Sequence, residues 1–300
     1  MSKLHRLVRN RNFILFSSLA LGLIWGDGTR WTEPLTLPAL ALVMTLSTMG
    51  ISLSMFRSPR DLLVPALGGL AMNFALLGGF ILGLSTLLIG DEALWSGFVI
   101  IAAVPPAVAI IPFTGFLNGN STFSLIGSIG GYLGALFITP LIVLGLLGTG
   151  SIEPIKLFTI LVELIMVPLV LSRILVLTGV AAKIEPLRGT ITNWSFFVVS
   201  YTIVGLNRAV FLGHPLSLIR VALVALGSTF LLGLVIEKVG DLFRVDKETL
   251  TSLILLGTLK NYGVAGGLAL ALFSKQTAVP ATVSVIFMII YIIWLSLKRR

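Results

Sequence analysis

Cysteine is absent from the 300 residues, and histidine occurs only at His5 and His214. The first absence excludes disulfides, thiolate metal sites and thiol nucleophiles. The second leaves too few imidazoles for a zinc site or a histidine-based triad. Charge is sparse as well: Asp, Glu, Lys and Arg make up 11% of the chain, and no paired catalytic carboxylates stand out among them. Enzyme chemistry therefore has no candidate nucleophile–base pair. What fills the chain is apolar. Hydrophobic residues reach 56% and the mean hydropathy is +1.06, more than a soluble domain of this length can hide. The sequence reads as an all-α integral membrane protein. Its net charge of +9 would suggest nucleic acid in a soluble protein, but the basic residues here sit in loops between apolar runs, so the expected surroundings are lipid and no nucleic acid.

Runs long enough to cross the hydrocarbon layer predict ten helices, at 12–26, 36–56, 62–88, 94–117, 121–147, 155–178, 191–209, 216–236, 249–273 and 278–297. The first run, Phe13 to Trp25, reads as a span rather than a cleavable leader. An even count puts both termini on one side. Lys3, Arg6, Arg9, Arg11, Arg57, Arg60, Arg173, Lys183, Arg188, Lys238, Arg244, Lys247, Lys298, Arg299 and Arg300 fall on that side. Arg30, Lys156, Arg208, Lys275 and the acidic Asp91 and Glu92 fall on the other. The bias predicts a multi-pass protein of the cell membrane with cytoplasmic termini.

Gly148 to Pro154 is a turn-rich joint with five predicted spans on each side. An odd number per half inverts one half relative to the other, so residues 1–150 and 151–300 read as two inverted five-helix repeats. The fourth span of each half is interrupted. Span four carries VPPAVAIIP (Val104 to Pro112), whose prolines remove backbone donors. Span nine carries GTLKNYGVAGGLALALF (Gly257 to Phe273), with Lys260 and Asn261 in a glycine-rich break. Ile110 and Lys260 lie 150 residues apart, so the breaks correspond. Broken helices at membrane depth belong where they line a cavity or an ion site. A cation at the bilayer centre costs about 2.5–3.5 kcal/mol, so Lys260 needs a partner or a polar cavity.

These residues, with PPAVAIIPFTGFLNGNSTFSLIGS (Pro105 to Ser128), resemble the bile acid:sodium symporter family. Gly119-Asn120 is similar to the Gly-Asn that follows the family's first broken helix, and Asn261 with Gly263 to the Asn-x-Gly of its second. The resemblance implies a panel of helices one, two, six and seven beside a core of helices three to five and eight to ten. It also implies alternating access, substrate bound between the two parts and sodium behind the crossing. The sodium ligands do not carry over. The Ser-Asn pair of the family's first site falls on Ile110 and Ile111, its hydroxyls on Ser124 and Ser128, and its Glu on Leu256. In the second site the two Gln positions are Asn73 and Lys260.

Lys260 is therefore expected to stand in for sodium, bonded to Asn73, Ser124, Ser128 or unwound carbonyls. It serves as a fixed cation, as a proton carrier, or as a lysine that snorkels to the surface. No cofactor is expected, and sodium coupling is in doubt. Glu163, the carboxylate deepest in a span, reads either as a cation partner or proton carrier facing the core, or as a neutral acid bonded to backbone. Asn193, Tyr201 and Thr202 on the polar face of helix seven, with Pro106, Thr114 and Asn261 at the breaks, are the expected substrate contacts. Arg208 and Arg220 read as headgroup anchors or as attractors of an anionic solute, and Trp25, Trp31, Trp95 and Trp294 as interfacial anchors. The expected activity is secondary transport of a small organic anion or amphipathic solute, sodium-independent or proton-linked, with sodium symport and a facilitative pore as the rivals.

Overall fold

A computed structural model describes residues 10–50, 59–148, 154–213 and 215–298. The basic residues Lys3, Arg6, Arg9, Arg57, Arg299 and Arg300 and most of the Gly148–Pro154 joint lie outside that set. Among the described residues every regular element is helical, and the one β-type pairing is an isolated bridge.

In chain order the principal helices are α1 (Arg11–Ile24), α2 (Thr36–Thr48), α3 (in three pieces, Pro59–Leu70, Ala71–Gly78 and Gly79–Leu88), α4a (Glu92–Ala103), α4b (Ile110–Phe116) and α5 (Ser121–Leu147). They continue as α6 (Pro154–Leu177), α7 (Val180–Leu206), α8 (Ile219–Leu242), α9a (Lys247–Leu256), α9b (Tyr262–Leu272) and α10 (Lys275–Lys298). Leu62–Leu88, α5, α6, α8 and α10 are each long and apolar enough to cross a bilayer unaided. Phe13–Ile24, Glu92–Ala103 and Tyr262–Leu272 are apolar but shorter, the last two because they are halves of interrupted helices. The chain is thus a multi-pass membrane protein.

Helix starts follow side-chain caps. Asn10, Asp91, Asn120, Asp246 and Asn261 each accept a bond from the N–H three residues on and open α1, α4a, α5, α9a and α9b. The Thr249 N–H holds the Asp246 carboxyl below its ordinary range. Two boundaries depart from the hydropathy reading. Helix α7 begins at Val180 rather than 191, because Lys183, Glu185 and Arg188 are polar yet helix-compatible, and Glu185 and Arg188 pair at 3.2 Å one turn apart. Helix α8 runs on to Leu242 rather than 236, carrying the charged Glu237, Lys238 and Asp241 in its last turns.

Helices α1, α2, α6 and α7 pack on one another, α7 lying along α1 and α2, and α6 along α2. A second set joins α3 to α5, α4a to α5 and α10, and α9b and α8 to α10. Two helices carry a π-helical segment, Ala71–Gly78 in α3 and Gly227–Leu231 in α8. Each lies in the helix preceding an interrupted one. An extra residue per turn rotates the side chains that follow, and such segments recur at functional sites. The first holds Asn73.

Candidate functional site

Helix four stops at Ala103 and resumes at Ile110; helix nine stops at Leu256 and resumes at Tyr262. Pro105 and Pro106 account for the first break. Neither has an N–H, so the carbonyls four residues back, on Ile101 and Ala102, have no helical donor. The unwound segments then pair with each other. Ala107 N–H donates to Leu259 O (3.1 Å) and Asn261 N–H to Pro105 O (3.0 Å), which makes an antiparallel bridge between Pro106 and Lys260. Pro106 thus lies opposite Lys260.

Lys260 is fully buried at this crossing. Its Nζ donates to Ala102 O (2.7 Å), Val104 O (2.9 Å) and Asn73 Oδ1 (2.8 Å). An ammonium has three protons, and here each meets an acceptor. One of these is the carbonyl that Pro106 orphans. The ammonium also closes the C-terminal, partially negative end of α4a and sits 4.4 Å from the centroid of the Phe74 ring. Asn73, in turn, directs its amide to Leu256 O (3.3 Å) and Leu259 O (3.4 Å), the loose carbonyls of the second break. Thr139 on α5 donates to Ala103 O at 2.7 Å. Side chains from α3, α5 and helix nine thus supply the donors that the two breaks remove, and the crossing becomes one hydrogen-bonded unit. Thr139→Val, which keeps the shape but removes the donor, should cost about 1 kcal/mol and lower the melting temperature while leaving the Lys260 bonds in place; thermal unfolding in detergent reads it.

The other expected ion-site residues are placed differently. Ser124 and Ser128 are buried but do not bond Lys260. Thr114 Oγ1 bonds Ile110 O (2.8 Å) and Ser124 Oγ (2.7 Å), while Ser128 Oγ and Tyr132 Oη are buried without a partner among the described residues. At the positions the resemblance assigns to sodium the fit fails. Ile110 and Leu256 are wholly buried hydrocarbon, and the Lys260 ammonium holds the Asn73 oxygen that a second cation would need. Glu163 is exposed on the outward face of α6 among Phe158, Val167 and Val170, turned away from the crossing, because Leu161, Leu164, Ile165 and Pro168 occupy the inward face.

Two crevices lie where the two sets of helices meet. The larger, about 840 Å³, is lined by Arg188, Thr192, Asn193 and Ser200 of α7, by Ser47 and Gly50 at the end of α2, by Ile111 and Pro112 of α4b, and by Ser121 and Leu125 of α5. The second, about 710 Å³, lies at the other end of α7, between Leu206 and Asn207 and the starts of α8 and α10. Between them α9b rests against α2 and α7 through glycines. A Cβ on Gly263 would lie 2.7 Å from Leu40 and 3.2 Å from Val199. Asn207 bridges α7 to α10, donating to Thr282 Oγ1 (3.1 Å) and Ile203 O (3.0 Å).

Of the expected substrate contacts, Asn193 lines the larger crevice. Tyr201 and Thr202 do not. The Tyr201 hydroxyl donates to Trp25 O (2.8 Å), and Thr202 bonds Thr32 Oγ1 (2.5 Å) and Val198 O (2.7 Å), so both fasten α7 to the α1–α2 connection. Pro106 and Thr114 are buried in the crossing, and Asn261 caps α9b. Arg208 lies along Gly26 and reaches Ile24 O (3.5 Å) and Asp27 (4.0 Å). Trp25 and Trp31 are exposed, whereas Trp95 donates to Thr86 and Trp294 packs with Phe230 and Tyr291. Ser200, which belongs to the polar face of helix seven expected to meet substrate, lines the crevice too, whereas sequence reasoning does not single out Arg188 and Thr192. Their spacing with Asn193 along one face of α7 carries the signal.

A family model described as the SBF-like CPA transporter family matches residues 63–297, well over half of the chain and including both breaks. No curated protein matches the chain.

Proposed function

We propose that this chain, which belongs to the SBF-like CPA transporter family, is a sodium-independent secondary carrier of small organic anions or amphipathic solutes, with Lys260 in the place of bound sodium. The family is one of membrane transporters, and the finer reading rests on one observation. The Lys260 ammonium spends all three protons on Asn73 and on carbonyls freed by the Pro105-Pro106 break. A carrier that needs a cation to neutralise its crossing would bind and release it in each cycle. Here the charge is covalently attached. Loss of a proton would leave one of three buried acceptors without a donor, so the geometry favours a fixed cation over a proton carrier.

In this reading α1, α2, α6 and α7 form the panel and the remaining helices the core, and the interrupted helices with their preceding π segments mark two inverted repeats. The core rocks over the glycine face of α9b. The crevice near Arg188 opens to the cytoplasm together with the termini, the second crevice opens outside, and the Asn207–Thr282 bond breaks as the outer side opens. In proteoliposomes loaded with pantoate, 2-oxoisovalerate or taurocholate, counterflow of at least one of them should saturate, proceed equally with sodium or choline, and show no inflection near neutral pH. A rate that requires sodium, or one that follows an imposed proton gradient, would refute the fixed-cation reading. Flux that never saturates would instead indicate a pore.

A further inference from the structure

We propose that the second crevice is a binding site of its own, built to hold the anionic head of an amphipathic molecule between Arg220 and Lys275. The inference rests on the transporter reading and adds to it a recognition site away from the larger crevice.

Arg220 stands in the first turn of α8 and Lys275 opens α10, and both line a crevice of about 710 Å³. Among the described residues neither cation takes part in an ion pair. The one carboxylate among the lining residues, Asp91, keeps its charge and has both oxygens hydrogen-bonded to neutral donors. Its Oδ1 accepts from Leu94 N–H at 2.9 Å and its Oδ2 from Gln276 Nε2 at 3.0 Å. Arg220 and Lys275 outnumber Asp91 around the crevice, which leaves one net positive charge, and the N-terminal ends of α8 and α10 add partial positive charge there. An anion offsets that excess. Arginine presents a planar fork of donors and lysine a point charge, a combination suited to a carboxylate, sulfonate or phosphate ester. Apart from Asn207 and Gln276 the remaining side chains are hydrocarbon, from Ile89, Leu94, Leu206 and Leu218 among others, so the ligand that fits carries an apolar body behind its charged head. The volume suits a molecule of metabolite or drug size.

Because the chain contains no cysteine, Ala209→Cys on the rim of the crevice gives a single attachment point for an environment-sensitive fluorophore. The labelled protein in phosphatidylcholine nanodiscs is titrated with taurocholate, octanoate and 2-oxoisovalerate. The amphipathic taurocholate and octanoate should give saturable responses, and the small 2-oxoisovalerate a weaker one. Arg220→Gln and Lys275→Gln should each raise the half-saturating concentration roughly ten-fold. Arg220→Lys should retain most of the response, and Arg208→Gln, outside the crevice, should leave it unchanged. Repeating the titration with phosphatidylglycerol in the disc separates the sources of the head. Competition that disappears in Arg220→Gln and Lys275→Gln assigns the site to a lipid headgroup, and no competition assigns it to a dissolved solute. No response to any probe, or titrations in both glutamine variants that match those of the unsubstituted labelled protein, would overturn the proposal. Saturable counterflow alongside such a failure would remove this site alone, whereas intact binding without counterflow would remove the transport reading alone.

Discussion

Lys260→Met is expected to abolish counterflow and to cost about 3 kcal/mol of stability or somewhat more. Methionine approximates the length and volume of the lysine stem but donates nothing. Ala102 O, Val104 O and Asn73 Oδ1, all buried, lose their donor together. In water-soluble proteins an orphaned buried acceptor costs about 1–3 kcal/mol; inside membranes hydrogen-bond couplings average nearer 0.6 kcal/mol, which places the sum toward the lower end. Two further terms push it up. The C-terminal end of α4a loses its counter-charge, and the Phe74 ring loses its cation. Lys260→Gln keeps two donors on a shorter arm and should fall between methionine and wild type. Thermal unfolding in detergent gives the ranking, and the pH profile of counterflow separates a fixed cation from a proton carrier. A methionine variant that melts with wild type would mean that the ammonium does not hold the crossing together.

The breaks were legible in the sequence because proline and glycine act through the backbone itself: Pro105 and Pro106 delete donors wherever they stand, and Lys260 in an apolar run demands acceptors. Asn73 was foreseen as a partner. Its fellow acceptors Ala102 O and Val104 O were foreseen only as unwound carbonyls in general, although counting four residues back from Pro106 names the first of them. Direction along a helix was harder to read. Asn193, Tyr201 and Thr202 are alike as polar residues of α7, yet a step of one residue turns a side chain by about 100°. Thr192, Asn193, Phe196 and Ser200 share the face toward the crevice, while Tyr201 and Thr202 turn to the α1–α2 connection. Glu163 fails for the same reason, since burial of Leu161, Leu164 and Ile165 leaves it on the far side of α6. Hydropathy also cut α7 short, because a helix that emerges from the apolar layer keeps its backbone bonds while its residues turn polar.

A change that touches no donor should damage the same unit nearly as much. Gly131 of α5 lies under the Pro106 ring, and a Cβ there would stand 2.5 Å from Pro106 Cγ and 2.6 Å from Cδ. Neither side can easily yield. The proline ring is rigid, and its residue is locked in the bridge to Lys260. Helix α5 is fastened to the same helix four on either side of Gly131, by Ser124 to Thr114 and by Thr139 to Ala103. Gly131→Ala must therefore displace the segment from Val104 to Ala107, which carries one of the three acceptors of the ammonium, at a cost of about 1–3 kcal/mol. Gly131→Val should exceed that and lose counterflow. Gly145 on the same helix is the internal control. A Cβ there meets nothing within 4 Å, so Gly145→Ala gains helix propensity and should stabilise by about 0.5–1 kcal/mol. The two alanine substitutions thus carry opposite signs on one helix. If the wedge acts through the crossing, Gly131→Ala combined with Lys260→Gln will cost less than the sum of the two alone, because each disrupts the same bonds. Strict additivity would place the damage elsewhere along α5 and separate the glycine from the ammonium's role.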